Sequence, residues 1–313
     1  MHDASELGEP DSPFHAGERA VQERLGVRER SERSGRRMIR DFMPEQHRDF
    51  FALLPFVLVG SLDVHGRPWA SLLSGPPGFV TSPHPRSLII GTSPLADDPL
   101  TDNLRVGAPL GLLGIELETR RRNRENGRVL WHSARGFELL VEQSFGNCKQ
   151  YIQARTRLNV RPPGGAGGQA VPGGPRLDVR AAGLVRDCDT AFLATASAAA
   201  TQGGAEGVDV SHRGGPPGFM RVDDHGACSR ITLPDYTGNN MFNSLGNIEV
   251  RPRAGLLACD FESGDLLSLT GTARVLWDAP QLAQFPGALR LLQIDVERHV
   301  LLTGALLLPA ILV

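Results

Sequence analysis

The amino-acid sequence predicts a mainly β protein, a barrel or sandwich, built as two related copies in tandem behind a charged helical arm. Three observations carry this. Gly75-Pro76-Pro77-Gly78-Phe79 returns as Gly215-Pro216-Pro217-Gly218-Phe219. Gly111-Leu112-Leu113 and Gly255-Leu256-Leu257 come next in each copy, followed at the same distance by matching turns, Gly127-Arg128-Val129-Leu130 and Gly271-Thr272-Ala273-Arg274-Val275-Leu276. A repeat this long marks whole domains and not stacking units. The runs around these landmarks are short and β-rich with Gly, Pro and Asp turns between them, and 313 residues suffice for two domains with cores of their own. Two related domains in one chain can pack as two subunits of a dimer do, with sites in the cleft between them.

Composition narrows the function classes. A formal net charge of −2 gives no general attraction to nucleic acid or to an anionic membrane, and 41% hydrophobic residues is ordinary for a globular chain. Cys148, Cys188, Cys228 and Cys259 are scattered, with no C-x-x-C and no His/Cys cluster at metal spacing. Reduced thiols, no metal site and a cytoplasmic location are the expectation. The polar, acidic start from Met1 to Asp11 does not resemble a signal peptide. The apolar run from Val300 to Val313 is too short to span a bilayer and contains Gly304 and Pro309, so a buried strand or packed tail is expected.

In chain order, residues 1–45 form the arm. Glu18 to Arg37 alternates Arg and Glu with few large apolar residues, which predicts a marginal surface helix held by i,i+4 ion pairs, laid over the other domain. Residues 46–160 are the first domain. Strands are expected over Phe56–Ser61, Arg67–Leu73, Ser87–Ile90, Leu110–Leu117, Gly127–His132 and Phe137–Val141, with a helix from Cys148 to Arg155. Residues 161–185, dominated by Gly and Pro up to Pro175, are read as a linker. The Gly165-Ala166-Gly167 stretch there matches a dinucleotide fingerprint only superficially, since no strand precedes it. Residues 186–313 are the second domain, with strands over Thr190–Thr195, Gly207–Arg213, Met220–Val222, Arg230–Leu233, Gly255–Phe261, Leu266–Leu276 and Leu289–Val296, and a helix over Asn240–Val250.

No nucleophile elbow, phosphate-binding P-loop or H-E-x-x-H occurs. Polar residues at strand ends remain. In Ser211-His212-Arg213-Gly214-Gly215, strand alternation puts Ser211 and Arg213 on one face and His212 on the other. A hydroxyl and a guanidinium leading into glycines suit a phosphate, and they equally suit a strand with a polar outer face. Pro234-Asp235-Tyr236-Thr237-Gly238-Asn239-Asn240 opens a helix with neutral donors at its start, for an anion or for helix capping. The equivalent stretch of the first copy, Trp69-Ala70-Ser71-Leu72-Leu73-Ser74, carries no base. That copy has instead Thr119-Arg120-Arg121-Arg122-Asn123-Arg124, where Arg120, Arg122 and Arg124 would line one strand face. In a pseudo-dimer that face could complete the site of the other copy. Cys148 at a helix start is read as reactive or merely packed.

Ser211 to Phe219, then Pro234-Asp235-x-x-Gly238-Asn239-Asn240, Asn247-Ile248, Gly255-Leu256-Leu257 and the Leu267–Ala273 strand resemble the pyridoxamine 5′-phosphate oxidase-like family of FMN-binding split β-barrels. The match is strongest over about 190–280. The first half looks like a diverged copy, and the arm with Ser144-Phe145-Gly146-Asn147-Cys148 resembles the larger two-barrel subgroup. The resemblance implies two tandem split β-barrels forming a pseudo-dimer, with FMN in a groove at the barrel–barrel interface. Mapped here, Ser211 and Arg213 would take phosphate, and Asn239, Asn240 and Asn247 would lie near the flavin or ribityl chain. Apart from the resemblance, Arg122 and Arg124 of the other copy are candidates to complete the phosphate site, and His212 is read either as stacking or donating near the flavin or as a surface strand histidine. Tyr236 and Met241 stand where related sequences often carry Arg. The function implied is an FMN-dependent oxidoreductase on an unidentified small molecule, or a non-catalytic ligand-binding or scaffold protein on the same fold. Haem or deazaflavin binding on that fold is a further alternative. No nucleic acid or membrane partner is expected, whereas a homodimer, a pseudo-dimeric monomer and a redox partner protein all stay open.

Overall fold

The computed structural model describes residues 12–156, 169–306 and 311–312. Seven antiparallel strands make the first sheet: β1 (Phe56–Leu62), β2 (Pro68–Ser74), β3 (Val80–His84), β4 (Ser87–Ile90), β5 (Pro109–Glu116), β6 (Arg121–Ser133) and β7 (Gly136–Gly146). The connection carries β8 (Arg155–Thr156) and β9 (Ala170–Gly173). The second sheet is β10 (Thr190–Ala196), β11 (Val208–Gly214), β12 (Arg221–His225), β13 (Cys228–Asp235), β14 (Arg253–Cys259), β15 (Leu266–Leu276) and β16 (Arg290–Leu302). Strand order is β2-β1-β5-β6-β7-β4-β3 in one and β11-β10-β14-β15-β16-β13-β12 in the other, so β1–β7 correspond one to one with β10–β16. The molecule is two tandem split β-barrels related as the halves of a dimer.

Each sequence landmark has a backbone reason, the same in both copies. Phe79 and Phe219 fold back over Gly75 and Gly215, where a Cβ would lie 2.6 Å from the phenylalanine Cβ. Gly78 and Gly218 have φ of 92° and 85°, a region costly for other residues. Gly111 leaves no room for a Cβ against the Val208 and Asp209 backbone at the start of β11, and Gly255 leaves none against Pro68 and Trp69 at the start of β2. These reciprocal contacts are those of an isologous interface. Gly127 and Gly271 sit at matching register shifts in β6 and β15.

The central strands show why their sequences are apolar throughout. Val57 and Val59 of β1 face the first barrel's core, while Phe56 and Leu58 face a third core shared between the barrels. In β10, Ala191 and Leu193 face the second core, and Phe192 and Ala194 the shared one. A strand covered on both faces has no solvent side to mark with polar residues.

The helices are α1 (Ala16–Arg24), α2 (Arg28–Met38), α3 (Glu45–Leu53), α4 (Leu100–Asn103), α5 (Val179–Asp187) and α6 (Asn243–Val250). The arm is thus two helices, broken at Gly26 (φ 66°). α2 carries the expected ion pairs, Arg28 and Arg36 to Glu32 at 2.6 and 2.7 Å. α1 is no surface helix, because Val21 and Gln22 are buried. The helix expected over Cys148–Arg155 does not form. Tyr151 takes a left-handed conformation (φ 64°) and Ile152 is buried in the shared core, so the chain crosses extended from one barrel to the other. Arg120 is also left-handed (φ 60°) and lies in the turn before β6, leaving only Arg122 and Arg124 on the strand face. Within 161–185, β9 pairs with β16 and α5 packs on the second core. The Gly165–Gly167 stretch and residues 307–310 of the apolar tail lie outside the described residues. β16 runs on through Leu302, and β17 (Ile311–Leu312) pairs with β8. No helix among the described residues is long and apolar enough to cross a membrane, and no cluster of metal-ligating side chains occurs among them.

Candidate functional site

A cleft opens between the barrels where β6 of the first meets β11 and the 234–244 loop of the second. Arg122, Arg124, Ser211, His212, Arg213, Tyr236, Asn239 and Asn240 all line it. Of the residues singled out in the sequence, Asn247 does not. It is buried, and its Nδ2 donates to Thr195 Oγ1 at 3.0 Å within the second barrel. The first copy contains the same bond, Asn103 Nδ2 to Ser61 Oγ at 2.9 Å, so the asparagine ties helix to strand in both barrels.

Strand alternation brings the cationic groups together. Arg122 and Arg124 project from one face of β6, and Ser211 and Arg213 from the facing side of β11. Arg124 is held from both barrels: Nη1 donates to Asp209 Oδ1 and Asn243 Oδ1, both at 3.0 Å, and Nη2 to Ser211 Oγ at 2.6 Å. Ser244 Oγ donates to the same serine at 3.2 Å. Arg213 and Arg290 share one carboxylate, Asp235, at 3.5 and 3.3 Å. Arg122 forms no ion pair among the described residues. Burial, then Arg124 and Arg213, lower its pKa to about 10, so it stays charged at neutral pH.

Four guanidinium groups therefore surround two carboxylates, and the excess positive charge rests on Arg122 and on the Arg213–Arg290 pair. Several buried donors have no acceptor among the described residues: Nε of Arg122 and of Arg213, and Nδ2 of Asn147, whose backbone N–H bonds to the Arg122 carbonyl beside it. Unpaired buried donors beside uncompensated charge are what an anion would satisfy. Burial and the neighbouring Arg122, Arg213 and Arg155 hold His212 well below the usual histidine range. Its neutral ring stands edge-on to Phe192 at 5.7 Å, with neither nitrogen hydrogen-bonded among the described residues.

Tyr236 stacks on Tyr151 at the mouth, with ring centroids 4.9 Å apart and planes 23° from parallel. Burial, and secondarily Tyr151, raise the Tyr236 pKa. Met241, where an arginine was the alternative, is buried in an apolar cluster with Phe14 of the arm and Phe145 of β7. Sequence reasoning missed Tyr151, Asn147 and Gln150, which enter the cleft on the crossing segment, and also Asn243 and Ser244. The one signal for Tyr151 was rarity, because the chain has only two tyrosines. Cys148 lines the cleft but starts no helix.

The equivalent place in the first copy is closed. Ser71 corresponds to Ser211, but Leu72 and Leu73 replace His212 and Arg213, and on the facing strand Leu266 and Ser268 stand for Arg122 and Arg124. Leu72 and Leu266 join the shared apolar core. Ser71 Oγ donates to Asp98 Oδ1 at 2.5 Å, and the same oxygen accepts the Leu100 N–H at 2.8 Å. A carboxylate of the chain itself sits at this serine and helix start.

Residues 177–300 match the family model for pyridoxamine 5′-phosphate oxidase. No curated protein sequence matches the chain significantly. Among solved structures, the chain is similar to HupZ of Group A Streptococcus (16% identity, 42% of this chain and 99% of that one, TM-score 0.31). It is similar to HutZ, the haem storage protein of Vibrio cholerae (15% identity, 42% and 96%, TM-score 0.28). It is also similar to a pyridoxamine 5′-phosphate oxidase-related FMN-binding protein of Nostoc punctiforme (12% identity, 38% and 72%, TM-score 0.21).

Proposed function

We propose that this chain is a member of the pyridoxamine 5′-phosphate oxidase family, whose model its residues 177–300 match, that it binds one FMN in the cleft between its barrels, and that it works as an oxidoreductase on a small molecule. The observation that carries the reading is the convergence of Arg122, Arg124 and Arg213 from two barrels on one cleft with donors unpaired among the described residues. A phosphate monoester is a dianion and would neutralise the excess charge. In this reading Arg122, Arg213 and Ser211 hold the phosphate, Asn239 and Asn240 lie along the flavin or ribityl chain, and Tyr236 offers an aromatic face. Bound FMN would supply hydride or electron transfer. The chain's own residues bind and orient it, and the neutral His212 ring supplies a donor or acceptor without adding charge.

The test is the visible spectrum of the purified chain before and after FMN addition and desalting. A retained two-band flavin envelope at one equivalent per chain is expected. A colourless chain that releases added FMN would defeat the proposal, and a Soret band would turn it toward haem. A second reading, a ligand-binding protein without catalysis, is favoured by Met241, which packs in an apolar cluster where relatives often carry Arg. Tyr236→Arg separates the two. It should tighten FMN if the phosphate lies within reach of the mouth, and change nothing if the groove is closed to flavin.

A further inference from the structure

The arm reaches into the wall of the cleft. α1 lies on α6 with no side chain between their backbones at the crossing. A Cβ on Gly17 would strike the Gly246 carbonyl, and one on Gly246 would lie 2.5 Å from Glu18 N. This close approach buries Glu18 to 3% exposure and brings its carboxyl to Asn243, whose Nδ2 donates to Glu18 Oε1. The other oxygen accepts His15 N at 2.9 Å, closing a capping box at the start of α1. Asn243 passes the constraint on, because its Oδ1 accepts from Arg124 at 3.0 Å.

The arm also grips the loop that lines the cleft. Gln22 Nε2 donates to the Met241 carbonyl at 3.1 Å and Ser31 Oγ to the Asn240 carbonyl at 3.0 Å. Asn240 and Phe242 on either side are left-handed, with φ of 61° and 62°. Such residues persist only where their surroundings enforce them. The first copy also has a left-handed residue ahead of its short helix, Asp97 (φ 61°), aligned with Met241 between the two in the second copy, but there Asp98 of the loop itself supplies the acceptor. The closed site is thus held from within and the open one from the arm.

We infer that Glu18 is a positioning residue for the cleft, acting through Asn243 on Arg124, and that docking of the arm and binding of an anion are coupled. This rests on the cleft taking an anion, as proposed above. By linkage, whatever the arm contributes to anion affinity, the anion returns to arm docking.

The experiment measures binding of inorganic phosphate and of FMN to the full chain, to Glu18→Ala and to Glu18→Gln, with the melting temperature of each apo protein. Glu18→Ala should bind both about five- to tenfold more weakly, the lower end of ordinary coupling. Glu18→Gln should recover most of that, since its amide oxygen still accepts from Asn243. A purely architectural role would lower the melting temperature and leave the affinity of the folded chain unchanged, and that result overturns the inference. Should Glu18→Ala not fold, the Gln22→Ala/Ser31→Ala double variant carries the same expectation. Reciprocally, saturating phosphate should slow tryptic cutting at Arg24 and Arg28 beside the Gly26 break. Equal cutting with and without phosphate would refute the coupling. A chain that binds phosphate but no FMN removes the flavin reading and leaves this one standing, whereas a chain that binds neither removes both.

Discussion

The cleft at Ser211 and its counterpart at Ser71 are the same place in two copies of one fold, and their difference separates architecture from ligand binding. Both copies keep the Gly-Pro-Pro-Gly-Phe turn, the bulge glycine, the Asn–hydroxyl tie and a left-handed residue ahead of the short helix. Only one keeps the arginines. Where Arg122 and Arg213 face the open cleft, Leu266 and Leu73 stand in the other copy, and the Asp98 carboxylate occupies the position at Ser71. Features common to both copies belong to the barrel, and those found in one belong to the site.

The sharpest way to break this comparison is Arg124→Ala. It leaves the buried Asp209 carboxylate with the Asn126 amide but without its ion-pair partner, so a loss of about 3–5 kcal/mol in stability is expected, read by chemical denaturation. Ser268→Ala, at the matching position, removes only a hydrogen bond to the Ala70 carbonyl and should cost about 1 kcal/mol. Equal losses would mean that the two positions are not functionally distinct.

Asp98 comes next. Burial raises its pKa to about 6, against bonds from Ser71 and the Leu100 N–H that lower it. A carboxyl raised in the fold stabilises it below the unfolded value of about 3.8, and that contribution is lost as pH rises through 6. Asp98→Asn should therefore match wild type near pH 4 and exceed it above pH 6 by up to roughly 3 kcal/mol. Melting curves across pH 4–7 with a constant difference would refute this.

Arg213→Ala should weaken FMN by about 1.5–3 kcal/mol, the worth of one charge-assisted bond. Leu73→Ala, its counterpart, should destabilise the first core and leave FMN affinity untouched. Titration of both variants followed by flavin fluorescence decides the matter, and an unchanged Kd in Arg213→Ala would sink the phosphate assignment. The smallest effect expected is the pair Asn247→Ala and Asn103→Ala, each costing about 1–2 kcal/mol by leaving a buried hydroxyl unpaired. Neither should alter FMN binding, and an affinity loss in Asn247→Ala alone would return that residue to the site.

Much of the fold was legible because its landmarks answer backbone demands. Glycines that admit another strand or fold beneath a phenylalanine leave a mark that outlasts change elsewhere, and strand alternation placed Ser211, Arg213, Arg122 and Arg124 correctly. The errors have physical causes. Asn247 looked like a ligand residue, yet Asn103-Leu104 repeats Asn247-Ile248 in the stripped copy, a signal that it serves the barrel. The segment after Asn147 has helical composition, but the distance between barrels demands an extended chain. Glu18 was read as one charge among many because nothing local marks it, and its partner Asn243 lies far along the chain. Contacts that exist only once two barrels meet leave no periodicity to find.

The tyrosine stack at the mouth has a practical consequence. The chain has two tyrosines, and both stand at the entrance to this cleft. The extent of tyrosine nitration by tetranitromethane therefore reports on that entrance with no background from other tyrosines. Whatever enters the cleft, coloured or not, announces itself in the reactivity of two side chains the molecule already carries.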